Sequence, residues 1–240
     1  MNQVNPYLNR TARGATADVA VDAGLRAHFF TIYNYMASAV LLSGIVAYLI
    51  VNSKPLTQLI LFTPLRWVFV LAPLAFVFIM AWRFERMSKT ALQALFWAYA
   101  VCIGVSFATI LYVYTGASVA RAFFMAAGLF AALSLYGYTA KADLSKFSTL
   151  LMVGMVVVLI ASVVNIFIGS TAMQFAISII GLLVFLGLTA WDTQRIKDTY
   201  LEYAGTEVQG KMAVMDALGL YINFVAIFQF LVSLVGQKDE

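Results

Sequence analysis

The sequence predicts an all-α integral membrane protein with seven transmembrane helices, and three observations carry that prediction. Of 240 residues, 63% are hydrophobic and only 11% charged, with a mean hydropathy of +0.90; a soluble core of this size cannot hide so much apolar surface. The apolar residues form long unbroken runs instead of alternating. Lipid offers a backbone no hydrogen-bond partners, so such runs select helices over a barrel. Finally, the charge-free windows resolve into seven segments of spanning length.

In chain order, the first 28 residues are polar and lack the apolar core of a signal peptide, which predicts a cytoplasmic tail followed by an uncleaved anchor. The membrane domain is expected over 29–237. Its first span is expected at 29–51, within the window Phe29–Ser53. Next, NSKPLTQLILFTPLR contains Pro55 and Pro64 and reads as an interfacial loop, not a further helix. Spans two to four are expected at 66–82, 91–114 and 119–140. The window Phe147–Trp191 holds 45 residues, far more than the roughly 20 that cross a bilayer. Turn chemistry at Ile168-Gly169-Ser170-Thr171 divides it into a hairpin of two spans, 147–168 and 172–191. The seventh span is expected at 213–236.

Charge sets the orientation. With a cytoplasmic N-terminus, eleven Lys and Arg residues, including Arg83, Arg195 and Lys197, fall on the inside, and four (Lys54, Arg66, Arg121, Lys238) fall outside. The positive-inside rule favours that arrangement, and seven spans then put the C-terminus on the opposite face. Orientation also accounts for the basic residues without nucleic acid, which is not an expected partner. The lipid bilayer is.

Several chemistries lack their residues. The lone Cys102 cannot form an internal disulfide or a thiolate cluster. His28 has no second histidine to build a zinc site and reads as an interfacial side chain. There is no Walker loop, no triad-like setting, and no lysine between Ala217 and Gln237 for a retinal Schiff base. A non-enzyme without a cofactor is expected.

Three polar groups at the membrane boundary remain. Asp192 ends the run FAISIIGLLVFLGLTAW, Asp216 opens the last span, and Asn223 lies inside it. Asp216 and Asn223 are seven residues apart, so they share a helix face about 10 Å apart along the axis. An interfacial stop, a helix-starting acid and an interhelical hydrogen bond would explain them structurally. Alternatively, they form a gate. Carboxylates at a membrane boundary coordinate hard cations through oxygen, and their protonation couples occupancy to pH.

At these residues the chain resembles the transmembrane Bax inhibitor motif family, in particular its bacterial YccA-like branch. The likeness rests on GLRAHFFTIYNYMASAVLLSGIVAYLI, AWDTQRIK and ALGLYINFVAIF, in that order, and extends over Gly24–Gly236. It implies a last helix surrounded by the other six. It also implies a pH-sensitive calcium leak in which two aspartates, one ending span six and one within span seven, share a proton and interact with a basic residue at the end of span two. Here those positions correspond to Asp192, Asn223 and Arg83. Asparagine cannot ionise, so half of the dyad is missing, and Asp216 is the candidate replacement, pairing with Asp192 as an outer acidic, calcium-binding pair. A second expectation also follows from the family: a non-transporting regulator that binds membrane proteins such as a membrane-anchored quality-control protease. The resemblance implies a bacterial inner membrane.

Overall fold

A computed structural model describes the backbone of residues 6–239 and the side chains of residues 22–239. Met1–Asn5 of the expected tail, and side-chain positions before Asp22, lie outside the described residues. Among the described residues, eight α-helices follow one another: α1 (Pro6–Val51), α2 (Lys54–Leu61), α3 (Leu65–Arg83), α4 (Lys89–Val113), α5 (Gly116–Thr139), α6 (Ser148–Ile168), α7 (Thr171–Tyr203) and α8 (Glu207–Val235). All except α2 are long and apolar enough to span a membrane, and no β-strand occurs among the described residues. The chain is a multi-pass membrane protein.

The segment with two prolines is a correction. It forms the helix α2, with Pro55 in the first turn, where its missing N–H costs nothing. Eight residues reach only about 12 Å, so α2 cannot span.

Sequence punctuation sets most other ends. Ser88 accepts the Ala91 N–H at the start of α4 (3.2 Å) and Thr115 accepts that of Ser118 at the start of α5 (3.3 Å). The long apolar window breaks at Gly169, left-handed at φ 69°, and Ser170 then caps α7 through the Met173 N–H. Three ends depart from expectation. Helix α1 begins at Pro6, inside the segment expected as a tail before the first span. Helix α7 continues past Asp192 to Tyr203, and α8 begins at Glu207, so Asp216 lies inside a helix instead of opening it. A charge ends an apolar window without ending a helix.

Helix α8 is the most buried. Within its most apolar stretch 61% of residues are inside the bundle, against 6% for α3 and 11% for α6. It packs broadly on α1, α4, α5 and α7, while α3 leans on α4 and α6 on α7. Four helices, not six, thus make broad contact with it. On α1 the buried seam runs through Leu25, His28, Phe29, Ile32, Met36, Ala39, Ser43, Ala47 and Ile50, the three-and-four spacing of a helix face. Glycines let two helix pairs approach closely. A Cβ on Gly104 would sit 2.7 Å from the Ser43 carbonyl oxygen, and one on Gly137 would sit 2.1 Å from that of Ala190.

The C-terminus is tied to the α4–α5 turn, where the Thr115 N–H donates to the Gln237 carbonyl (3.0 Å) and that of Asp239 to the Val113 carbonyl (2.9 Å). The start of α8 is at the other end of the bundle. That end carries the polar site.

Candidate functional site

Asp192 lies about 32 Å along α7 from its start, close to the roughly 30 Å thickness of a hydrocarbon core. It is nonetheless 9% exposed, and Asp216, Asn223 and His28 are 4%, 3% and 4% exposed. Such groups need partners. The Asn223 amide donates to Asp192 Oδ2 at 2.8 Å. Arg195, one turn further along α7, places Nη2 2.9 Å from Asp192 Oδ1 and 3.7 Å from Asp216 Oδ1. One guanidinium therefore bridges both aspartates. Its side chain is 41% exposed, and it stacks over Trp191 at 5.3 Å, closing the cluster from the bundle end.

On the inner side, His28 Nε2 lies 3.9 Å from Asp216 Oδ2, and neither buried atom has a hydrogen-bond partner. The imidazole rests against Tyr200 at 5.2 Å. Tyr200 is in turn so close to α1 that a Cβ on Gly24 would meet its hydroxyl at 2.4 Å. With His28 neutral, the two carboxylates and one guanidinium carry a net negative charge, and a protonated His28 would cancel it.

The surrounding bonds fix the α7 backbone. Gln194 donates to the Ala142 carbonyl (2.9 Å) and accepts the Leu144 N–H (2.7 Å), pinning the α5–α6 connection. The Thr193 hydroxyl donates to the Thr189 carbonyl (2.8 Å) and lies 3.0 Å from Ser134 Oγ, which also bonds the Tyr33 hydroxyl. Between Asp216 and Asn223 on α8, the buried Tyr221 bonds the Ser43 hydroxyl.

Three of the expected residues, Asp192, Asn223 and Asp216, are therefore brought together. Arg83 is not. It is exposed at the end of α3 and forms no ion pair among the described residues; the basic partner is Arg195. Sequence reasoning also missed His28, which is a buried member of the cluster and not an interfacial side chain. Both carried a signal: Arg195 is three residues from Asp192, on the same helix face, and His28 falls on the apolar seam of α1.

Among the described residues, no group of three or more His, Cys, Asp or Glu is arranged to hold a metal ion. Calcium takes six to eight oxygens, whereas both Asp192 oxygens are engaged by Asn223 and Arg195. Arg195 already occupies Oδ1 of both Asp192 and Asp216.

Arg195→Gln should lower the thermal stability of the detergent-solubilised protein by about 1–2 kcal/mol. That is below the usual range for breaking a buried pair, because Arg195 is partly exposed. Arg83→Gln should leave it unchanged. Equal melting losses in thermal unfolding would contradict the assignment of Arg195.

The chain matches the model of the family described as inhibitor of apoptosis-promoting Bax1 over residues 25–240. It is 35% identical to the inner membrane protein YbhL of Escherichia coli (strain K12), an alignment spanning 90% of this chain and 94% of that protein. It is 40% identical to an uncharacterized protein of Caulobacter vibrioides over the whole of both chains. A third relative, an uncharacterized protein of Rickettsia prowazekii, is 37% identical over 96% of this chain and 98% of its own length. A seven-span helical bundle with AWDTQRIK and ALGLYINFVAIF meeting at one buried polar cluster, matched by these relatives over 90% or more of its length, belongs to the Bax1-inhibitor family of membrane proteins.

Proposed function

We propose that the chain is a low-conductance cation leak pathway, with calcium as its candidate ion, gated at Asp192, Asp216 and Asn223 by Arg195. The carrying observation is the pair of buried aspartates at the membrane boundary, joined by one partly exposed arginine. Ionisable groups at such depth are costly and mark ion pathways in membrane proteins. Arg195 acts as a tethered cation: while it occupies the carboxylates, a permeant cation cannot, and protonation of the carboxylates changes the competition. The excess of Lys and Arg at this end supports a cytoplasmic position for it, and the relative named as an inner membrane protein supports a bacterial inner membrane.

Proteoliposome flux of calcium, sodium and protons, compared across a pH series, tests this reading. Calcium flux is expected to vary with pH. Asn223→Asp should steepen that variation, because a carboxylate 2.8 Å from Asp192 Oδ2 would couple the titration of two like charges. If Asp192→Asn and Asp216→Asn each leave flux and its pH profile unchanged, the gate does not exist.

A second reading, a non-transporting regulator that binds membrane proteins such as a membrane-anchored protease, is favoured by Asn223, where the resemblance leads one to expect a second acid. The thinly covered helices α3 and α6 also leave broad apolar faces for a partner. Deleting residues 1–22 separates the two. A regulator is expected to lose co-purifying partners, whereas a leak pathway keeps its flux.

A further inference from the structure

We propose that a cleft between α1 and α5, at the same end of the bundle as Asp192, binds an acyl chain of an anionic glycerophospholipid whose phosphate sits on Arg26. This goes beyond the leak reading and stands without it. Helices α1 and α5 both pack on α8 but make no broad contact with each other. The slot between them is about 600 Å³, is floored by Phe224, and is open to the side. Small residues, Ala37 on one wall and Ala127 and Ala131 on the other, hold it open.

The chemistry of the walls selects the occupant. Phe29, Met36, Phe130 and Leu135 make the slot apolar. Of the three hydroxyl-bearing residues on its walls, half-buried Tyr33 and buried Ser134 bond to each other, and Ser134 bonds to Thr193, so neither asks for a polar ligand; the third, Tyr138, packs its ring edge-on against Phe29. Water has too few partners there, and an empty slot would forfeit the dispersion contacts of its lining. Hydrocarbon is the surrounding solvent. The mouth is different. Arg26 lines it, is exposed and makes no ion pair with any described residue, Asp22 one turn away included. Lys197 adds a second positive charge next to the lining Tyr138, over its ring at 5.3 Å and donating to its carbonyl at 2.9 Å. Among the described residues, no carboxylate lines the cleft. A planar guanidinium above an apolar slot suits a phosphate above a chain.

The dimensions agree. From Arg26 to Ala37 the wall is about 16 Å long at the helical rise, which is half of a hydrocarbon core of roughly 30 Å, or one leaflet. An occupying chain would lie against Tyr33 and Ser134 and so support the hydroxyl line that ends at Thr193, the neighbour of Asp192.

The test uses the full-length protein in phosphatidylcholine vesicles carrying a small fraction of phosphatidylglycerol or phosphatidylcholine with a photoreactive group in the acyl chain. After irradiation, labelled peptides are mapped by mass spectrometry. Phosphatidylglycerol is expected to label the cleft around Ala37, Ala127 and Ala131 several-fold more than phosphatidylcholine does. Arg26→Gln should bring the two lipids to the same level. Ala131→Trp should suppress cleft labelling by both while labelling of α3 and α6 continues, which reports that the bundle is intact; Ala127→Leu serves if Ala131→Trp does not fold. Labelling that is no stronger in the cleft than on α3 and α6, or a phosphatidylglycerol preference that survives Arg26→Gln, would overturn the proposal.

Discussion

Asp192→Asn is expected to cut calcium flux in proteoliposomes about tenfold and to flatten its pH dependence. A hydrogen bond to a charged group contributes roughly 1.5–3 kcal/mol, and 1.4 kcal/mol is already a factor of ten. The asparagine retains the shape of the aspartate but not its charge. It loses the ion pair with Arg195 at 2.9 Å, and its single carbonyl must serve either Asn223 or Arg195. Arg195→Gln removes the tethered cation and leaves both carboxylates, so its effect on flux should have the opposite sign. Equal effects in the same direction would mean that the cluster only stabilises the fold and does not compete for a permeant ion.

The second large effect is structural. Gly137→Leu should abolish recovery of the folded protein, or lower its melting temperature more than any other single change on α5. The clash is with backbone: the added Cβ would meet the Ala190 carbonyl oxygen at 2.1 Å, its carbon at 2.9 Å and its Cα at 3.0 Å. No flexible side chain can yield there. Overpacking of a tight core typically costs about 1–3 kcal/mol, and a backbone clash belongs at or above the top of that range. Gly128, on the same helix, has nothing within 4 Å of its Cβ position, so Gly128→Leu should be nearly neutral. Size-exclusion yield and thermal unfolding of the pair measure the difference. Similar losses at both positions would show that the added bulk itself, not the α5–α7 contact, is responsible, since leucine has the higher helix propensity.

These two sites differ in how visible they are before folding. Asp192 stands out because it interrupts an apolar run, and the period of a helix puts Asp216 and Asn223 on one face. Their union with Asp192 needs α7 and α8 to be neighbours at the right rotation. Gly137 looks like any other small residue of α5 until Ala190 is placed against it.

The misreadings have the same root. Arg83 suited the role of basic partner because it ends a span at the correct face, yet it points into the surroundings while Arg195, three residues from Asp192, makes the contact. His28 looked interfacial because it sits where the polar segment meets the first span. Its burial follows from the face of α1 that meets the rest of the bundle, the seam through Leu25, Phe29 and Ile32.

The sequence by itself determined the class, the seven spans, the hairpin at Gly169-Ser170 and the end of the bundle that carries the acids. Those features follow from length, hydropathy and turn chemistry, which act along the chain, since every backbone group within lipid must be satisfied inside its own helix. Tertiary structure alone decided that α8 lies against four helices, that Arg195 bridges Asp192 and Asp216, that His28 faces Asp216, and that α1 and α5 stand apart over Phe224. Those depend on how each helix is rotated and how closely it approaches its neighbours. Side-chain packing and hydrogen bonds between distant segments set both, and no local pattern encodes them.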